Sequence, residues 1–179
     1  LSSTAVPQSA NGNGLAAAPA PKKSSIYTED EFIVGDSSVA RELHRQVSLV
    51  APTNFSVIIY GESGSGKEAV ARSIHNNSPR RDKPFVALDC GAISRELAGS
   101  ELFGHEKGSF TGADRMRQGL FEAAHEGTLF LDEAGEMSPA AQAKLLRVLT
   151  DGKVLRVGST KPRDVDVRVL VATHRDLEE

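Results

Sequence analysis

Gly61-Glu62-Ser63-Gly64-Ser65-Gly66-Lys67 stands between the apolar run Phe55-Ser56-Val57-Ile58-Ile59-Tyr60 and a helical pattern running from about Lys67 to Asn76. The run is β-branched and nearly continuous, which predicts a strand buried on both faces of a parallel sheet. Glycines let the backbone turn back on itself, so that several N–H groups point inward, the helix contributes its positive end, and Lys67 can reach outer phosphates. The stretch Gly61 to Lys67 therefore reads as a phosphate cradle. The alternative, a glycine-rich loop that binds nothing, is weakened by the strand and the helix standing in the required order. Glu68 occupies the position where most such loops carry a hydroxyl for Mg²⁺, so metal ligation falls to another residue.

Moving outward, Pro84-Phe85-Val86-Ala87-Leu88-Asp89-Cys90 reads as a second buried strand and Gly127-Thr128-Leu129-Phe130-Leu131-Asp132-Glu133 as a third, closing on two adjacent acids. Strand ends of this kind are where open α/β sheets present functional groups. Asp132 is a candidate Mg²⁺ ligand, and Glu133 a candidate for orienting the water that attacks a γ-phosphate. By themselves the acids could merely cap a strand in solvent. Asp89 could hydrogen-bond near Glu133, and the histidines show no paired metal spacing.

Ser37 predicts the cap of a first helix with Val39, Leu43, Val47 and Val50 on one face and Pro52 as its end. Ala92 to Phe103 predicts a helix anchored by Leu97 and Leu102, and Gln118 to His125 another. Ser138 and Pro139 open a helix carrying Ala141, Leu145, Val148 and Leu149, stopped by Gly152. Two short strands, Lys153 to Val157 and Val165 to Thr173, complete the pattern, the first able to pair locally as a hairpin. The turn Arg80-Arg81-Asp82-Lys83 reads as a solvated basic face. Strands alternating with helices imply an α/β fold of three layers with a mainly parallel sheet.

The chain has 179 residues, 39% apolar and 25% charged, enough for one ordinary core. A formal net charge of −3 without long basic runs disfavours a nucleic-acid groove or membrane surface. Cys90 is the only cysteine, so there is no internal disulfide, and a free thiol fits a reducing cytoplasm. Residues 1–25, rich in Ala, Pro, Ser, Asn and Gly, read as a disordered linker preceding a domain over 26–179. A start at Leu1 and an end within a charged pattern at Glu179 suggest a piece of a longer polypeptide.

Between the second and third strands lies Glu101-Leu102-Phe103-Gly104-His105-Glu106-Lys107-Gly108-Ser109-Phe110-Thr111-Gly112-Ala113, whose glycine-punctuated part predicts a surface loop with an unburied Phe. Together with Gly61 to Glu68 and Gly127 to Glu133, this stretch resembles the AAA+ central domain of sigma-54-dependent transcriptional activators, from about Ile33 to Glu179. The resemblance implies a P-loop NTPase fold that hydrolyses ATP with Mg²⁺. Gly61, Glu62, Ser63, Gly64, Ser65, Gly66, Lys67 and Glu68 would hold the nucleotide with Thr173 and His174 as its sensors, and Asp132, Glu133 and Asp89 would serve catalysis. Gly108, Ser109, Phe110, Thr111, Gly112 and Ala113 would touch sigma-54 RNA polymerase holoenzyme, and the family assembles as a ring, usually a hexamer, that remodels closed promoter complexes into open ones. DNA would be read only by a separate C-terminal module.

Some positions depart from the commonest family pattern. Ser109 stands for Ala, Asp89 for an Asn that pairs with the catalytic glutamate, and His174 for a phosphate-sensing Asn. Glu68, by contrast, is expected in the family. Arg156 lies at a position associated with subunit contacts, and residues 152–166 resemble a second substrate-facing insertion. The resemblance also places arginine fingers and a helical lid after Glu179, so this segment alone is expected to bind nucleotide weakly and hydrolyse it poorly. Competing readings are a P-loop ATPase of chelatase or chaperone type, and a nucleotide switch without useful turnover.

Overall fold

The computed structural model describes residues 37–174, apart from the side chains of Arg95 and Glu96. The linker expected over residues 1–25, the onset of apolar sequence at Phe32 and the final residues 175–179 lie outside the described residues. Among the described residues, five α-helices and six strands follow in chain order: α1 (Ser38–Val50), β1 (Val57–Tyr60), α2 (Lys67–Asn76), β2 (Phe85–Asp89), α3 (Arg95–Phe103), α4 (Leu120–Ala123), β3 (Thr128–Asp132), α5 (Pro139–Asp151), β4 (Lys153–Val154), β5 (Arg163–Asp164) and β6 (Arg168–Thr173). A 3₁₀ turn, Ala134–Glu136, links β3 to α5.

The main sheet is wholly parallel, in the order β1-β6-β3-β2, with β6 seated between the first and third strands. Alternation along the two central strands divides the core into two layers. Phe130, Leu170 and Ala172 face Val47 of α1 and Val70, Ala71 and Ile74 of α2. Leu129, Leu131 and Val169 face the opposite layer, with Leu102, Phe103, Phe121, Ala141, Leu145 and Val148. Each such fully buried large side chain contributes about 1.5–3 kcal/mol relative to exposure. The three-layer α/β architecture is thus realised, and no helix among the described residues is long and apolar enough to cross a membrane.

Local signals decide most helix ends. Ser37 Oγ accepts from Ala40 N at 3.1 Å, and Ser138 Oγ from Ala141 N at 3.3 Å. Gly152, with φ +63°, ends α5 while its N–H bonds Val148 O. Helix α3 starts only at Arg95 because Ser94 caps it, and α4 keeps a single turn, Leu120–Ala123, of the longer helix expected there.

Several expectations of burial need correction. β1 and β2 are the edges of the described sheet, so β1 is not buried on both faces: Ile58 is 58% and Tyr60 63% exposed, while Val57 and Ile59 pack on the α1–α2 layer. β2 likewise exposes Ala87. Val39, Leu97 and Leu149 are exposed, because their helices present narrower apolar stripes than the sequence suggested.

Lys153–Val154 pairs antiparallel with Arg163–Asp164, a shorter hairpin than expected. The last strand begins at Arg168, since Asp166 is engaged elsewhere: Glu126 N donates to Asp166 O, and Arg80 bonds both its carbonyl and its carboxylate. Arg80 is therefore an internal clamp rather than part of a solvated face. Arg168 is fully buried and donates to Val50 O, Ala51 O and Phe55 O at 2.8, 2.9 and 3.2 Å, tying the end of α1 to the approach of β1. Burial, followed by the charge of Arg80, pulls its pKa below the ordinary guanidinium value.

Candidate functional site

Parallel pairing sets the carboxyl ends of β1, β6 and β3 side by side, and the next residues along the chain, Gly61, His174 and Glu133, meet there. A cavity of about 500 Å³ opens between them, lined by Tyr60, Gly61, Glu62, Ser63, Glu133 and His174. The cradle is shaped by Gly64 and Gly66, whose φ values of +77° and +84° lie in the left-handed region where a Cβ is strained. Gly66 is the N-cap of α2 and offers no side-chain cap, leaving the helix's first amides to an external acceptor. Gly61 N donates to Thr173 O at 3.2 Å, pinning the loop to the end of β6.

Lys67 is buried at the floor of this loop. Its Nζ donates to Gly61 O at 3.1 Å and Glu62 O at 3.0 Å, and lies 3.4 Å from Glu133 Oε1. Two carbonyls and one long carboxylate contact are modest compensation for a desolvated ammonium. An incoming polyanion would be a stronger partner.

Glu133 combines two unusual features. Its backbone sits at φ 50°, ψ 45°, a left-handed conformation uncommon outside glycine and often found at functional sites. Burial raises its pKa, but the hydrogen bond and charge of His174, with the charge of Lys67, more than offset this and hold it below the ordinary glutamate value. At neutral pH it is an ionised proton acceptor. His174 Nδ1 approaches Glu133 Oε2 at 2.5 Å.

Asp132, half-buried at the end of β3, accepts from Glu133 N through Oδ1 at 3.0 Å. One carboxylate beside a phosphate site is the donor set Mg²⁺ commonly uses, completed by phosphate oxygens and water.

Other expected members stand apart. Glu68 turns outward and pairs with Arg72 across one helical turn at 2.7 Å. Asp89 is in register with Asp132 across β2 and β3, but its Oδ1 accepts from Gly91 N and Ala92 N at 2.9 and 3.2 Å, and no bond to Glu133 forms. Cys90 is buried, as its apolar context implied, and burial, then the charges of Asp89 and Asp132, push its thiol up to about 12. Tyr60, missed in the sequence reading, lines the cavity; its signal was an aromatic side chain immediately before the first glycine.

The Gly108 to Ala113 loop is closed at its neck by Gly108 N to Ala113 O at 2.8 Å and Ala113 N to Phe110 O at 3.0 Å. Phe110 is 40% exposed, with one edge of its ring against His105 at 5.0 Å between centroids. Ser109 Oγ is buried without a hydrogen-bond partner.

Beneath the loop, the side chain of Arg156 is buried within the chain. It makes a bidentate pair with Glu122 at 2.7 and 2.8 Å and reaches Glu106 at 3.3 Å. Backbone bonds from Glu106 N to Val157 O and Val157 N to Gly104 O, 3.0 and 2.9 Å, bind the same junction.

A parallel sheet with a glycine-rich loop at the end of its first strand, a buried lysine opening the next helix and acids at a neighbouring strand end defines a P-loop NTPase. The fold agrees with the P-loop NTPase domain of the sigma-54 transport activator from E. coli, at a TM-score of 0.50 and 17% identity over 78% of this chain and 77% of that one. The Sigma-54 interaction domain model matches residues 33–179, and the chain belongs to that family.

A Nif-specific regulatory protein from Sinorhizobium fredii is 57% identical over 151 residues, 84% of this chain and 25% of that protein. NtrX from Brucella abortus, solved in complex with ATP, superposes at a TM-score of 0.75 with 42% identity, covering 82% of this chain and 31% of NtrX. The chain thus spans about a quarter to a third of the length of these regulatory relatives.

Proposed function

We propose that this chain hydrolyses ATP as the motor of a sigma-54-dependent transcriptional activator. The observation carrying this reading is the contact of buried Lys67 with Glu133, whose left-handed backbone sets it in the lining of the cavity beside the glycine loop. Family membership supports the activator role, and the ATP complex of NtrX supports the nucleotide.

In the proposed mechanism the phosphates of ATP enter the cavity, and Lys67 exchanges Gly61 O, Glu62 O and Glu133 for phosphate oxygens. The α2 amides add the positive helix end. Asp132 would hold Mg²⁺, which neutralises phosphate charge when bound with the nucleotide. Glu133 accepts a proton from the attacking water, aided by its ionised state. Gly61 to Lys67 and the backbone of Glu68, whose side chain stays turned out onto Arg72, form the nucleotide site of this reading with Thr173 and His174.

The loop Gly108, Ser109, Phe110, Thr111, Gly112 and Ala113 would contact sigma-54 RNA polymerase holoenzyme. Gly108 and Gly112 have φ values of +77° and +99° and nothing near a notional Cβ, so the tip can move between them while the neck stays tied. Ring assembly would supply the arginines that complete each site, and hydrolysis would drive the closed-to-open promoter transition. The domain is proposed to cover 26–179, continued by a lid and flanked by other modules, one of which reads DNA.

Binding of the full-length protein to sigma-54 in the presence of an ATP transition-state analogue tests the partner. Phe110→Ala should abolish it while ATP turnover persists; unchanged binding would favour an ATPase acting on another protein.

A further inference from the structure

Phe110, near the tip of the Gly108 to Ala113 loop, meets the imidazole ring of His105 edge-on, at 5.0 Å between centroids and 67° between planes. His105 is itself held in place. It is buried, and its Nδ1 shares a 2.6 Å hydrogen bond with Ser100 Oγ of α3, which is buried too. Its backbone is fixed on two sides: His105 N donates to Arg117 O and Arg117 N to His105 O, at 3.0 and 2.9 Å, while Glu106 N donates to Val157 O and Val157 N to Gly104 O. The imidazole ring thus belongs to the scaffold.

Phe110 lies on the side that can move. Gly108 and Gly112 flank it in left-handed backbone with open space around each. The neighbouring Ser109 adds no polar hold, since its Oγ is buried without a hydrogen-bond partner among the described residues. A cavity of about 430 Å³ opens between α3 and α5, lined by Phe110 together with Leu97, Ser100, Ala141 and Val157. Phe110 therefore borders open space on that side, and His105 is the rigid ring against which it leans.

We propose that His105, oriented by Ser100, is a positioning residue that latches Phe110 back against the domain and must release it before the loop engages sigma-54. No covalent step is involved; one aromatic contact is exchanged for another. The assignment rests on Phe110 being the sigma-54 contact, and it gives His105 a task outside both hydrolysis and that contact.

The test uses the full-length protein, with sigma-54 binding and hydrogen exchange as separate readouts. His105→Asn keeps an amide able to bond Ser100 but has no ring. Without nucleotide, it should raise affinity for sigma-54, and speed amide exchange over 108–113, by about 2- to 12-fold, the range an aromatic pair contributes beyond its burial. His105→Ala should do the same, and Ser100→Ala, which leaves the ring free to turn, should do so by less. With an ATP transition-state analogue present, affinities for sigma-54 should stay within about twofold of wild type, because the latch is already open in the bound state.

Wild-type behaviour of His105→Asn beside a loosened His105→Ala would overturn the assignment, since the bond to Ser100 would then be the whole role of His105. Exchange that quickens equally through α3 and α4 would overturn it as well. So would an acceleration that persists in a Phe110→Ala background, where the target of the ring is gone. Should Phe110→Ala bind sigma-54 like wild type, the partner reading fails, while hydrogen exchange still decides the latch.

Discussion

Lys67 and Arg156 are both buried cations, each with a side chain 5% exposed, yet they are satisfied in opposite ways. Lys67 holds two carbonyls and a carboxylate oxygen at 3.4 Å, partners that a polyphosphate can replace. Arg156 is gripped by both oxygens of Glu122 at 2.7 and 2.8 Å with Glu106 beside it, and a fork-on-carboxylate pair of this kind is not displaced by a small ligand. The first arrangement suits exchange at each encounter with substrate. The second suits a fixed joint, which holds the neck of the Gly108 to Ala113 loop to α4 and the segment after β4.

Replacing each cation should therefore separate function from stability. Lys67→Ala should cut ATP turnover by about 10²–10³-fold, the scale for losing one preorganised charge donor, while the melting temperature barely changes. A large loss of stability with turnover retained would reverse the roles.

Arg156→Ala should instead destabilise the fold by about 3 kcal/mol, since it leaves the largely buried Glu122 with only Arg163, at 3.8 Å, as a charged partner; denaturant unfolding measures this. A stability change near zero would mean the joint is not fixed at all.

A smaller effect sharpens the same contrast. Burial raises the Glu122 pKa, but the bonds and charge of Arg156 win and leave it below the ordinary glutamate value. A carboxylate depressed on folding adds stability that is fully present above its unfolded pKa and lost as pH falls through the folded one. The gap in melting temperature between wild type and Glu122→Gln should accordingly hold at neutral pH and narrow below about pH 4. A gap independent of pH would remove the ionic part of the joint.

How much of this was legible depended on whether the signal was local. Gly61 to Lys67 announced itself because strand, turn and helix are contiguous, and the caps at Ser37, Ser138 and Gly152 were readable for the same reason. Asp132 and Glu133 were legible as acids closing an apolar strand. Burial of β1 was misjudged, since whether Ile58 and Tyr60 are covered depends on which strand lies alongside, and composition does not encode that. Arg80 read as part of a solvated face and Arg156 as a subunit-contact position, because the partners that bury them lie tens of residues away. The bond between Glu133 and His174 spans 41 residues and was hidden likewise, whereas Asp89, the partner expected for Glu133, is captured by its own following turn.

The most direct measurement is ATP hydrolysis beside ATP binding for the full-length protein and its Glu133→Gln variant. A fall in turnover of at least about 100-fold with binding retained is predicted, as expected when the proton acceptor of the reaction is removed. Equal turnover by the two proteins would contradict the assignment of Glu133 and, with it, the reading of this cavity as an ATPase site.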